Sequence, residues 1–317
     1  MRIVAIITVA LMLVFASCSS GDDSKAADSG SDTSARPETS EPGDATTTSA
    51  GAGPGTEVDP VDQTPPLGVN GLTVEDGAIW MADLSGGEVM KLDAATGEIL
   101  ERYGAEDGVA SPDDVALGPD GAVYWTGFEE GQVGRIADGE SEVIAQLPPG
   151  ANPLAFAADG TLYVGLAVVG DAIYKVATDG SGEAEIVADA PGDVNGFTIG
   201  ADGFLYGPAG GALGPGSIVK VDLTTGEVSE VVGGIVAVVA TDFDGDGVLH
   251  ALSPLPAQIL RIDLEAGTAE VERELPGVIP DNLAYATDGT LYVSHFNEPA
   301  ISVIAPDGSE TALRVGA

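Results

Sequence analysis

From residue 65 onward, short stretches rich in Val, Ile, Leu and Thr alternate with polar residues and are separated by Gly, Asp and Pro. Such stretches read as strands joined by tight turns. They recur as six units with one internal order. An opening segment leads into a turn with Asp-Gly and then an aromatic-rich second strand. A Gly-containing loop, a third strand that often carries a basic residue, and a fourth strand of polar-apolar alternation follow. The opening segments are NGLTV (70–74), DDVAL (113–117), NPLAF (152–156), NGFTI (195–199), VATDF (239–243) and DNLAY (281–285), with starts 43, 39, 43, 44 and 42 residues apart.

Four short strands in a unit of about 40 residues is the pattern of a propeller blade. One blade cannot bury both of its faces, whereas six stacked radially can, with Val, Ile and Leu filling the layers between blades. The expected fold is therefore all-β: a six-bladed β-propeller, four antiparallel strands per blade, over residues 65–317. The sixth unit has four strands of its own, so no strand exchange is needed to close the ring. Whether residues 56–66 add an edge strand is left open.

The first 64 residues follow other rules. Residues 1–17 hold one Arg and an apolar run from Ile3 to Phe15, then two small residues. This is the layout of a secretory signal, and the run is short for a membrane span. Cys18 follows at once and is the only cysteine among 317 residues, so no intrachain disulfide can form. The stretch Phe15-Ala16-Ser17-Cys18 resembles the bacterial lipobox, in which the cysteine thiol is diacylated and becomes the mature N-terminus. Two or more acyl chains hold a protein stably, at about 0.8 kcal/mol per buried methylene. Residues 18–64 are Ser, Thr, Gly, Ala, Asp and Pro with almost no large apolar side chain, which predicts a flexible tether. The expected address is extracytoplasmic, on the cell membrane.

Charge narrows the partners. Eleven basic residues stand against 51 acidic ones, a net of −40. Phosphate binding needs a basic face, so nucleic acid is not an expected partner. Five cations, Lys91, Arg135, Lys175, Lys220 and Arg261, share one position on the third strands, with Val303 in the sixth. They read as stems packed between blades with heads paired to nearby carboxylates. The expected state is a monomer.

In a propeller the innermost strand lines the channel, and its start lies at one mouth. The residues there are Asn70, Asp113, Asn152, Asn195, Val239 and Asp281, with Asp114 and Asn282 next in line. Converging carboxylates and amide carbonyls are hard oxygen donors suited to calcium or another divalent cation. Asn70, Asp113, Asn152, Asn195, Asp281 and Asn282 are thus the candidate ligand-binding set. The same residue types also serve simply as strand-entry residues after a turn.

The stretches VNGLTVEDGAIWMADLSGGEVMKLD and PDNLAYATDGTLYVSHFNEPAISVIAPDG resemble the six-bladed superfamily of NHL repeats, streptogramin lyases and senescence-marker/gluconolactonase proteins. The resemblance covers roughly residues 66–317. It implies the fold, but no single activity, because the superfamily includes hydrolases, lyases and pure binding modules. Gluconolactonase-like enzymes hold a divalent ion on the channel axis with Glu, Asn and Asp. Asn152 and Asn195 resemble the Asn positions, while Val239 stands where that family has Asp and Asn70 where it has Glu. Streptogramin lyases place His at the start of an inner strand, and no inner strand here begins with His. The two histidines, His250 and His295, are both on second strands. His295, near the end of its strand and followed by Asn297 and Glu298, is with Asp281 the candidate for any catalysis. His250, mid-strand, reads as packed.

A second metal candidate is Asp242-Phe243-Asp244-Gly245-Asp246-Gly247, the first half of an EF-hand-type loop. Its twelfth position is Ser253, which excludes a true EF-hand. Similar loops occur between first and second strands of integrin-type propellers, which makes Asp242, Asp244 and Asp246 candidates for a structural calcium; the alternative is an Asp-Gly turn like Asp120-Gly121, Asp159-Gly160 and Asp288-Gly289. Two functions follow as expectations: a ligand- or partner-binding module with a divalent cation at the channel mouth, or a metal-dependent gluconolactonase-like hydrolase of lactones or esters.

Overall fold

The computed structural model describes residues 60–210 and 215–316. The expected signal segment, Cys18 and the tether up to residue 59 lie outside the described residues. The described chain forms six four-stranded sheets, each built from consecutive strands in order. Blade 1 holds β1 (Leu72–Glu75), β2 (Ala78–Asp83), β3 (Glu88–Asp93) and β4 (Ile99–Tyr103). Blade 2 holds β5 (Pro112–Leu117), β6 (Val123–Gly127), β7 (Gln132–Ala137) and β8 (Glu140–Gln146). Blade 3 holds β9 (Ala151–Phe156), β10 (Leu162–Leu166), β11 (Ala172–Val176) and β12 (Ala184–Asp189). Blade 4 holds β13 (Thr198–Ile199), β14 (Phe204–Ala209), β15 (Pro215–Asp222) and β16 (Val228–Val236). Blade 5 holds β17 (Ala240–Phe243), β18 (Leu249–Pro254), β19 (Ala257–Asp263) and β20 (Thr268–Glu274). Blade 6 holds β21 (Pro280–Tyr285), β22 (Leu291–His295), β23 (Ala300–Ile304) and β24 (Glu310–Arg314). All pairings within blades are antiparallel, and the six-bladed all-β expectation holds.

The turn from first to second strand sets each blade's register. In all six blades Asp-Gly closes it with Gly in the left-handed region, as at Gly121 (φ 78°) and Gly289 (φ 85°), where a side chain would be strained. The carboxylate of Asp120, Asp159, Asp202 or Asp288 then accepts a backbone N–H two residues on. Blade 5 departs. There Asp244, two residues earlier, accepts from Asp246 N (2.9 Å) and Val248 N (2.9 Å).

Six buried apolar clusters hold the blades together, one for each neighbouring pair. The repeat is visible in them. The aromatic residue of one blade's second strand packs on the last residue of the next blade's inner strand. Tyr124 meets Phe156 edge-on at 4.9 Å, and Tyr206 meets Phe243 at 5.5 Å. Trp80 with Leu117, Tyr163 with Ile199 and Tyr292 with Val74 repeat the arrangement. His250 holds that place in blade 5, 5.1 Å from the Tyr285 ring.

The ring closes without strand exchange. Val69 N donates to His295 O of blade 6 (2.9 Å), and Gly316 N donates to Gly97 O of blade 1 (2.9 Å). Residues 60–66 form no strand. Instead the Gln63 side chain imitates one, donating to Ile99 O (2.8 Å) and accepting from Ile99 N (2.9 Å). The third-strand cations behave as expected in three blades. Lys91 pairs with Glu101, Arg135 with Asp120, and Lys220 with Asp202 while lying 3.6 Å from the Phe204 ring centre.

Candidate functional site

The six inner strands bring their first residues to one mouth of the channel. Asn70 and Asp113 are buried there, and Asn152, Asn195 and Asp281 are half-buried. The polar side chains pair across blades. Asn152 Nδ2 donates to Asp113 Oδ2 (2.6 Å), and Asn70 Nδ2 donates to Asp281 Oδ2 (3.3 Å). Asn70 is held in this orientation because its Oδ1 accepts from Leu84 N (3.1 Å). Asn70 and Asn152 therefore offer N–H groups to the carboxylates, and the Asn70 oxygen is turned to the backbone. For Asn70 this departs from the expectation of converging amide oxygens, because its oxygen caps a loop.

The carboxylates are left in an unusual state. Burial pushes Asp113 well above the usual carboxylate range, and the charges of Asp281 and Asp114 push it the same way. Burial raises Asp281 to about 6 against the hydrogen bond from Asn70. One level deeper, burial raises Asp114 to about 8, although Val115 N and Leu154 N both donate to it. Asp114 Oδ1 also accepts from Asn282 Nδ2 (3.2 Å), across blade 1. That reach depends on Gly71, where a Cβ would sit 2.0 Å from Asp114 Oδ1. The second-level pair Asp114–Asn282 thus belongs to the mouth, whereas Val239 leaves blade 5 without a polar group in it.

Deeper still, Asp242 turns into the channel. Its Oδ1 accepts from Thr198 Oγ1 (3.2 Å) and Phe243 N (2.9 Å), and its Oδ2 from Tyr285 N of blade 6 (3.0 Å). Burial raises it to about 6. The expected calcium loop is not assembled: Asp242 belongs to the channel, Asp244 caps its own turn and bonds His250 Nε2 (3.1 Å), and Asp246 is exposed. Among the described residues no group of three or more His, Cys, Asp or Glu gathers to hold a metal. The sequence signal for Asp242 was available. The same repeat position is Thr73, Ala116, Ala155, Thr198 and Ala284 in the other blades.

The channel cavity below the mouth measures about 240 Å³ and is lined by all six inner strands, with Asp114, Asp242 and Asn282 among its walls. Organic ligands usually occupy about 300–1,000 Å³. The other catalytic candidate, His295, does not serve this space. Its Nε2 bonds Ser302 Oγ (3.0 Å) on the third strand, Ser302 in turn bonds Glu310, and Nδ1 is buried without a partner. The order Glu–Ser–His leaves the serine between two groups and no base behind the imidazole, so it is not a nucleophile triad.

What the arrangement can do is bind a small positive charge. Asp113 and Asp281 are hard donors, the charge of Asp281 opposes the ionisation of Asp113, and a cation between them would favour both carboxylates. Asn70 contributes no oxygen, so the fit to a divalent ion rests on carboxylates and water.

No protein-family model matches the chain, and no curated protein sequence matches it. Solved structures do. Virginiamycin B lyase from Staphylococcus aureus aligns over 78% of this chain and 85% of its own, at 17% identity and a TM-score of 0.60. A putative gluconolactonase aligns over 80% and 92%, at 16% identity and a TM-score of 0.60. A chain of the nidogen/laminin complex aligns over 78% and 93%, at 16% identity and a TM-score of 0.58. At these identities the likeness is one of fold. The chain is a six-bladed β-propeller with streptogramin-lyase and gluconolactonase structures among its neighbours.

Proposed function

We propose that the protein is a lipid-anchored, extracytoplasmic binding module whose channel mouth takes a small hard divalent cation, calcium first. The observation that carries this reading is the pair Asp113 and Asp281. Both are desolvated at one mouth, and Asp281 is among the charges that raise Asp113. The channel cavity of about 240 Å³ favours an ion over an organic substrate. Few fixed oxygens and water-filled coordination point to a weak site, with Kd on the order of 10⁻⁴–10⁻³ M. The address rests on the leader and on Cys18, and the protein meets its surroundings as a monomer held by its acyl chains, with no nucleic-acid partner.

Calorimetric titration with calcium tests the site. Wild type is expected to bind, and Asp113→Asn to weaken binding at least tenfold. No calcium heat at millimolar concentration would sink the reading. Chelator-sensitive turnover on a panel of lactones and esters would replace it with the hydrolase. Radiolabelled palmitate should enter the wild-type chain and not Cys18→Ser.

A further inference from the structure

The chain has five asparagines, and two of them, Asn70 and Asn195, are followed by glycine. Both Asn-Gly steps lead into an inner strand at the channel mouth, at the same repeat position in blades 1 and 4. Asn-Gly is the step at which the backbone most readily attacks the side chain, because glycine has no Cβ to hold its own nitrogen away from Asn Cγ. The two blades treat this step differently.

In blade 1 every group the attack needs is held. Asn70 is buried, its Oδ1 accepts from Leu84 N (3.1 Å), and its Nδ2 donates to Asp281 Oδ2 (3.3 Å). Gly71 N donates to Asp113 O (2.8 Å), Gly71 O accepts from Ala82 N (2.9 Å), and β1 begins at the next residue. In blade 4 the same groups are free. Asn195 is half-buried, and its side chain makes no hydrogen bond among the described residues. Gly196 is tied through its oxygen alone, to Thr241 N (2.7 Å) and Thr241 Oγ1 (3.1 Å). Its N–H has no partner among the described residues, which is rare for a buried amide. The sheet does not restrain the step either. β13 is only two residues long, Thr198–Ile199, and the approach to it passes through left-handed φ at Asp193 (61°) and Gly196 (43°). Glycine is required there, since a Cβ at Gly196 would sit 2.5 Å from Val239 O.

We propose that Asn195 is a site of spontaneous deamidation, which turns one amide of the mouth into a carboxylate. Gly196 N attacks Asn195 Cγ. The N–Cγ bond forms, the Cγ–Nδ2 bond breaks, and the peptide proton leaves with Nδ2 as ammonia. Water then opens the cyclic imide at either carbonyl and yields aspartate or isoaspartate, with no oxidation or reduction. Both reacting groups belong to adjacent residues and neither is bonded elsewhere, so the step has the advantage of proximity. The remaining asparagines lack this freedom. Asn152 precedes Pro153, which has no N–H. Leu283 N donates to Asn282 Oδ1 (2.8 Å), and Glu298 N, after Asn297, donates to His295 O (3.4 Å). The consequence of the change rests on the cation reading above: a carboxylate at position 195 joins Asp113 and Asp281 as a third hard donor at the mouth.

The test is ageing of the full chain in mildly alkaline buffer, followed by peptide mass spectrometry that separates asparagine, aspartate and isoaspartate at each position. Native Asn195 is expected to convert at least tenfold faster than native Asn70. In concentrated urea, where neither step is held, the two rates should come together. Conversion of native Asn195 as slow as that of Asn70, or a tenfold preference that persists in urea, would overturn the proposal. Calorimetric calcium titration of Asn195→Asp reads the consequence. Binding at least tenfold tighter than wild type is expected, and unchanged affinity would overturn the role of a third donor. No calcium heat from either chain would remove the cation reading alone, and the mass spectra would still decide the modification.

Discussion

The groove between blades 2 and 3 and the groove between blades 5 and 6 occupy equivalent places in the repeat, yet one measures about 210 Å³ and the other about 730 Å³. In the first, Tyr124 crosses to Phe156, and its hydroxyl reaches Asp120 (3.1 Å). Arg135 closes the front by donating two hydrogen bonds to the same carboxylate. In the second, His250 stands in place of the tyrosine and bonds Asp244, two residues before the turn carboxylate Asp246. Arg261, the counterpart of Arg135, makes no ion pair among the described residues. A repeat protein can thus open a groove between two units by carrying a smaller side chain in one of them.

That comparison can be broken in several ways. The largest effect is expected from Tyr124→Ala, which empties a filled interface and should cost about 3–5 kcal/mol in urea denaturation. His250→Ala, at an interface already open, should cost markedly less; equal losses would mean that the two grooves are packed alike.

The channel supplies a contrast in sign. Asp114 is raised to about 8, and Asp242 and Asp281 to about 6. Between about pH 4 and these values the folded chain holds protons that the unfolded chain has released, so stability falls as pH rises, by up to about 1.4 kcal/mol per pH unit for each proton. Asp120 acts oppositely. Against its partial burial, Arg135 and its hydrogen bonds lower it, so its contribution is lost on acidification. Thermal unfolding followed from pH 4 to 8 should show the decline, and Asp114→Asn should flatten its upper part.

A smaller effect is expected from His250→Tyr. A tyrosine there can fill the groove and reach Asp246, as Tyr206 reaches Asp202 (2.8 Å). It should stabilise the fold by about 1 kcal/mol, or roughly 2–4 °C in Tm for a domain of this size. A drop instead would mean that Asp244 and Glu272 need the imidazole. The smallest effect belongs to Arg135→Ala, whose partly exposed ion pair should contribute less than about 1 kcal/mol, measured in the same denaturation.

The blades were legible because their signals are local. Asp-Gly turns and the apolar-polar alternation depend on neighbours in sequence, and both recur six times. The mouth residues were legible for a similar reason, as one repeat position. The bonding among them was not. Asn70 turns its oxygen to Leu84, and Asp114 passes over Gly71 to Asn282, through contacts between units that no periodicity encodes. Asp242 was misassigned for a related reason. The spacing Asp-x-Asp-x-Asp suggests convergence, but on a strand the pleat and the twist send Asp242 into the channel while the turn begins at Asp244. His250 read as packed, and it is buried; what its size removed from the interface appears only when the blades are stacked.

The way the ring is fastened has a mechanical consequence. The chain enters the propeller through Gln63, whose amide clasps both backbone groups of Ile99, with Arg102 holding Thr64 O and Asp83 holding Leu67 N (2.8 Å). A Cβ at Gly316 would sit 2.4 Å from Gln63 O, so the first and last described residues of the propeller meet on blade 1. Tension applied at the N-terminal side of Gln63 would therefore reach these few side-chain latches before any strand. They would release ahead of the blades, as a fuse does, leaving the six sheets intact under load.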